Sequence, residues 1–271
     1  MQKRPILPEN YHLTASISKW NKNTYVNWSK KPQNKAVVFI HGFNGSSMDT
    51  FGDFNLEFRY RPEYEGYDVF FFGYNSLFRQ IANSALGFLK FLRAIHNNID
   101  QVIKESGINV TRQQYSKIVI VAHSLGAVIT RVALNEGYKT ESAWLDKCAL
   151  VFFAPAHKGA KDEILGLAEL HGFTKLISPV AKYFVVTLKQ LMDKSIIINP
   201  MEIKVKALID KNVTSFTIPK VVVWADPDRV VINDFFLEDP EPISLDGVKH
   251  EDVCKPSKKF EEPYKFVSDY L

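Results

Sequence analysis

The chain reads as an α/β protein, a mostly parallel central sheet flanked by helices. Three observations predict this. Ala36 to Ile40 (AVVFI), Lys117 to Ala122 (KIVIVA) and Cys148 to Ala154 (CALVFFA) are apolar throughout, as strands covered on both faces must be. Longer stretches between them carry apolar residues at helical spacing. The two kinds alternate along the chain, which is the order of a parallel sheet with crossover helices.

The elements follow in order. His12 to Ser18 alternates and predicts an edge strand, and Tyr25 to Trp28 predicts a second. The strand from Ala36 runs into the loop His41-Gly42-Phe43-Asn44-Gly45. Asp68 to Tyr74 (DVFFFGY) is the next strand. Ser76 to Ser106 sets Ile81, Ala85, Phe88, Leu92, Ile95 and Ile103 at helical spacing, with Gly107 placed to end the helix. The strand from Lys117 leads to a helix over Leu125 to Asn135, for which Gly137 is the expected stop. After Cys148 to Ala154, Lys220 to Ala225 (KVVVWA) is the last clear strand. Roughly sixty residues separate those two, far more than a connection of about 2–6 residues plus one helix. Ser178 as a cap, Pro179 at the first position and the stripe Val180, Phe184, Leu188 and Leu191 predict a helix there. Residues 161–219 are read as a helical, cap-like insertion after the sixth strand, inside a single domain spanning 1–271.

Composition narrows the function. The 46% hydrophobic and 24% charged residues exclude a disordered chain, and the formal net charge is only +4. Lysines cluster at Lys30, Lys31 and Lys35 and at Lys255, Lys258 and Lys259, in short groups mixed with proline. They form no long stripe, so no nucleic-acid partner is expected, while peripheral contact with a membrane stays open. Cys148 and Cys254, the two cysteines, supply neither a disulfide framework nor a zinc ligand set, and neither metal nor cofactor is expected. The opening Met1 to Asn10 has no apolar core of a signal peptide, and no apolar run reaches the ~18–20 residues of a membrane span. The expectation is a soluble, cytoplasmic protein.

The chemistry centres on Ser124. It follows a buried strand and precedes a helix, with Ala122 and Gly126 two residues to either side. Small neighbours at those positions suit a strand-to-helix turn so tight that it holds the hydroxyl out at the end of the sheet. Gly126 lets the helix pack close to the neighbouring strand, and the helix N-terminus favours a developing negative charge. A hydrolase built this way needs two backbone donors for the oxyanion. Leu125, after the nucleophile, offers one; Phe43, after His41-Gly42, offers the other. A serine also needs a base with an acid behind it, in the chain order Ser, acid, His. Asp226 and Asp228 both lie at the carboxyl end of the last clear strand. Asp228 is preferred because Val230 and Val231 return to the core after it; Asp226, followed by Pro227, is the alternative. His250 is the one histidine downstream, 22 residues after Asp228 and 126 after Ser124. Of the others, His41 is read as structural, His12 and His96 as surface, His123 as shaping the site, His157 as a candidate pocket wall and His171 as part of the insertion.

With these residues in view, the chain resembles the α/β-hydrolases, in particular the lipase-like serine esterases, and among them the serine-active-site-containing and GPI-inositol-deacylase-like groups. The matching segments are HGFNGSS from His41, GYDVFFFGYNS ending at Ser76, VAHSLGAVITR from Val121, FFAPAHKGA from Phe152, DRVV from Asp228 and HEDVCKP from His250. They cover about 35–256. The resemblance implies Ser124 as nucleophile, Asp228 as acid, His250 as base and the Phe43 and Leu125 N–H groups as oxyanion hole. Ala122 and Ala127 stand where glycines are commoner; both are small enough to keep the turn. The expected function is hydrolysis of carboxylic esters, with an apolar acyl group or a lipid ester as substrate, through an acyl-enzyme. The alternatives are acyl transfer by the same triad and a non-catalytic lipid-binding module of the same fold.

Overall fold

The structure, a computed structural model, describes residues 10–20, 23–76, 79–140, 143–161, 190–191 and 193–271. Among the described residues the sheet has eight strands in the order β1-β2-β4-β3-β5-β6-β7-β8. They are β1 (Ala15–Ser16), β2 (Tyr25–Asn27), β3 (Lys35–Ile40), β4 (Tyr67–Phe72), β5 (Lys117–His123), β6 (Cys148–Phe153), β7 (Val221–Asp226) and β8 (Ile243–Asp246). β1 and β2 pair antiparallel at one edge; from β4 to β8 every pairing is parallel. The all-apolar runs are buried along their length, as two-sided coverage requires.

The helices are α1 (Phe54–Glu57), α2 (Ile81–Asn97), α3 (Ile99–Ser106), α4 (Leu125–Tyr138), α5 (Ile198–Ile209) and α6 (Glu262–Ser268). α2 packs on α4 and α4 on α5. Phe54 of α1 meets Tyr264 of α6 at 4.6 Å between ring centroids. The strand order reverses between β4 and β5 on either side of β3, and crevices for ligands open at such points, beyond the carboxyl ends of the strands.

Several expectations change. The helix foreseen over Ser76 to Ser106 is two helices, broken at Asn98 (φ −135°, ψ 44°), where adjacent asparagines compete with the helical backbone bonds. Gly107 ends the second in a left-handed conformation, as its position predicts. Gly137 does not stop α4. It lies inside the helix, and a Cβ there would sit 3.0 Å from Leu89 Cδ1, so the glycine serves close packing on α2. His96 is buried, not on the surface, and stacks on Trp144 at 5.9 Å. The first edge strand shrinks to two residues. β8 was not foreseen, because a four-residue, largely exposed segment (ISLD) carries no buried run to read. In the proposed insertion, α5 is a helix packed on α4; the helix expected from Ser178 lies outside the described residues except for its end at Leu191, as does His171. No helix among the described residues is long and apolar enough to cross a membrane.

Candidate active site

β5 delivers Ser124 to the carboxyl edge of the sheet. The residue adopts φ 54° and ψ −121°, outside the comfortable range of a residue with a side chain, and caps α4. Its N–H donates to Phe153 O at 2.9 Å, fixing the turn against β6. The small residues around it have a measurable purpose. A Cβ on Gly126 would come within 2.5 Å of Ile40 O and 2.6 Å of His41 O, so only glycine lets α4 start this close to β3. A Cβ on Gly42 would meet Ser124 Cβ at 2.8 Å, so the loop after β3 passes directly over the serine.

His250 reaches the same point from the loop after β8. Its Nε2 lies 3.0 Å from Ser124 Oγ and its Nδ1 lies 2.8 Å from Asp228 Oδ2. All three side chains are buried. Asp228 sits just beyond β7, and its second oxygen, Oδ1, accepts the N–H groups of Val230 (2.8 Å) and Val231 (3.0 Å). Burial works to raise the Asp228 carboxyl, but His250 and the Val231 and Val230 N–H groups outweigh it and hold the group below the usual carboxylate range. Asp226 points elsewhere: its Oδ2 accepts Ser244 Oγ at 3.3 Å and its main-chain O accepts Gly247 N at 2.6 Å.

Leu125, directly after Ser124, opens α4, where N–H groups have no partner within the helix. Phe43 lines the cavity in front of the serine. That cavity measures about 480 Å³. Ala156, Ala160, Leu191, Val230 and Val231 supply apolar wall, while Ser46, Asp49, Thr50, Glu251 and Lys255 supply polar wall.

The remaining histidines separate by environment. His41 is buried, stacks on Tyr74 at 4.3 Å and accepts the Tyr74 N–H at Nε2 (3.3 Å); burial pushes it down to about 4. His157 does not line the serine cavity. It is buried behind it, its Nε2 accepting from Arg131 Nε at 3.1 Å, and burial and then the Arg131 charge keep it neutral. Sequence reasoning missed Lys161, whose Nζ donates to Asp228 O at 2.5 Å, because nothing local marks a lysine 67 residues away as a brace. Among the described residues no group of His, Cys, Asp or Glu is arranged to hold a metal ion.

Comparison with known proteins bears on the family and the fold. A family model described as "Putative serine esterase" (DUF676) matches residues 30–180, more than half of the chain. Among solved structures, the chain is similar to the lipase BlEst2 of Bacillus licheniformis in its mature form, at 15% identity and TM-score 0.53, covering 90% of this chain and 97% of that one. It is similar to the peroxisomal α/β-hydrolase Lpx1 of Saccharomyces cerevisiae, at 12% identity and TM-score 0.55, covering 99% and 86%. It is similar to the siderophore hydrolase EstB of Aspergillus fumigatus, at 13% identity and TM-score 0.52, covering 98% and 97%. At these identities the likeness concerns the fold, which is that of the α/β-hydrolases. No curated protein sequence matches the chain.

Proposed function

The chain belongs to this serine esterase family, and from that premise we propose that it hydrolyses carboxylic esters with an apolar acyl group through Ser124, His250 and Asp228. The observation that carries the reading is the line of contacts from Asp228 Oδ2 through His250 to Ser124 Oγ, 2.8 Å and 3.0 Å long. A carboxylate bonded to Nδ1 fixes the tautomer that leaves Nε2 free to take the serine proton. Ser124 Oγ attacks the ester carbonyl as His250 accepts that proton. The carbonyl oxygen becomes an oxyanion, held by the N–H groups of Leu125 and Phe43. The C–O bond to the alcohol then breaks, and His250 returns the proton to the leaving oxygen. Water, deprotonated by His250, attacks the acyl-enzyme and releases the acid, restoring Ser124. The preference for an apolar acyl group is supported by Phe43, Ala156, Ala160, Leu191, Val230 and Val231 along the cavity.

The test is intact-mass spectrometry after exposure to a fluorophosphonate, with wild type, Ser124→Ala and His250→Ala side by side. One adduct on wild type, absent from Ser124→Ala and strongly slowed in His250→Ala, is the expected result. A folded wild type that takes no adduct sinks the reading. Turnover of p-nitrophenyl esters of graded chain length then tests the acyl preference, which fails if acetyl esters outrun longer ones.

A further inference from the structure

We propose that His123 is a positioning residue for this reaction: it holds His250 in place by donating its Nε2–H to the His250 main-chain carbonyl while the two rings pack together. The inference rests on the reading of Ser124, His250 and Asp228 above.

His123 is the last residue of β5, immediately before Ser124. Its Nε2 lies 2.9 Å from His250 O, and the two ring centroids are 4.8 Å apart. A carbonyl can only accept, so the proton is on Nε2 and the ring is in that tautomer. Nδ1 therefore carries a lone pair. It is buried and has no hydrogen-bond partner among the described residues. A buried acceptor left unpaired is destabilising, and an apolar side chain would avoid it. What an imidazole offers in return is its donor edge, which is bonded to the His250 carbonyl.

The geometry explains what that edge achieves. The base loop makes its own turn, with Asp252 N and Val253 N both donating to Lys249 O. The His250 carbonyl is instead tied to β5, whose end is pinned by Ser124 N to Phe153 O. His123 thus couples the base to the nucleophile turn by a contact separate from the Ser124–His250 hydrogen bond. Burial and then the nearby His250 push His123 down to about 3, so it stays neutral beside an imidazolium at 250.

The experiment compares His123→Leu, His123→Gln and His123→Asn with wild type. A glutamine amide nitrogen reaches about as far as imidazole Nε2; an asparagine amide falls short. The leucine and asparagine variants are expected to lose on the order of 10- to 100-fold in kcat and in fluorophosphonate labelling rate, with KM within about twofold, as a displaced base requires. The glutamine variant is expected to recover most of that loss. A leucine variant at the wild-type rate, or a glutamine variant no better than leucine, overturns the proposal. Nitrogen-15 imidazole spectra of wild type at pH 6 give a readout free of activity and of folding defects. They are expected to show neutral His123 protonated at Nε2, and protonation at Nδ1 instead overturns the proposal. A wild type unlabelled at Ser124, with that tautomer intact, marks failure of the parent reading and removes the catalytic role with it.

Discussion

Asp228 is buried, a setting that ordinarily raises a carboxyl, yet the bonds it accepts from His250, Val231 and Val230 hold it below its usual range. A group depressed in the folded state contributes stability above its unfolded value, near 3.9, and loses it as pH falls through the folded one. Wild type is therefore expected to lose stability more steeply than Asp228→Asn below about pH 4, read from urea midpoints across pH 2–7; parallel curves contradict this. The same variant is expected to lower kcat by about 10⁴-fold, because an amide presents a donor to Nδ1 and favours the wrong tautomer. Gly42→Ala offers a second check at this scale. The new Cβ would lie 2.8 Å from Ser124 Cβ and 3.1 Å from His123 Nδ1, with no flexible chain end to give way. The loop over the serine must shift, and a fall of at least about tenfold in kcat is expected in ester assays.

At the scale of elements, two glycines in helices make opposite predictions. Gly126→Ala pushes a Cβ to 2.5 Å from the Ile40 carbonyl, which is strand backbone. A loss of about 1–3 kcal/mol or more is expected in urea unfolding, since α4 cannot move without moving Ser124. Gly87, within α2, has nothing within 4 Å of its would-be Cβ. Gly87→Ala is expected to gain about 0.5–1 kcal/mol by lowering the freedom of the unfolded chain. The sequence already sets Gly126 against the strand beside the serine turn, but it does not show that Gly87 stands in open space, which only the packed helices reveal. The same limit explains Gly137, which looks like a helix stop in sequence and is a packing glycine in α4. It also explains β8, whose pairing with β7 needs no apolar run.

At the scale of the whole molecule, a buried ion pair joins distant segments behind the site. Arg131 of α4 donates from one terminal nitrogen to both oxygens of Asp239, at 2.5 and 2.6 Å, and from the other to Thr217 O at 2.6 Å. Its guanidinium lies over the ring of Phe152 (5.2 Å) and over that of Phe236 (4.5 Å). Arg131 thereby ties α4, the approach to β7 and the segment between β7 and β8 into one unit. Arg131→Ala leaves Asp239 buried without its counter-charge and is expected to cost about 3–5 kcal/mol in chemical denaturation. Arg131→Met combined with Asp239→Leu is expected to recover much of that. A double variant no better than the single would assign the arginine's value to its other contacts.

The order of residues alone specifies the strands buried on both faces, their alternation with helices, and a serine held in a tight turn between strand and helix. These are local properties: side-chain period, burial on both faces and the size of near neighbours act over a few residues and leave a pattern that can be read. It also sets an acid and a histidine after that serine, and it favours Asp228 over Asp226 because Val230 and Val231 return to the core after it. The folded chain is what turns Asp228 to His250 and Asp226 to Ser244. It alone brought His123 to a carbonyl 127 residues away and Lys161 to one 67 residues away. Contacts of this kind depend on how the sheet stacks its carboxyl ends side by side, and no period along the chain carries that distance.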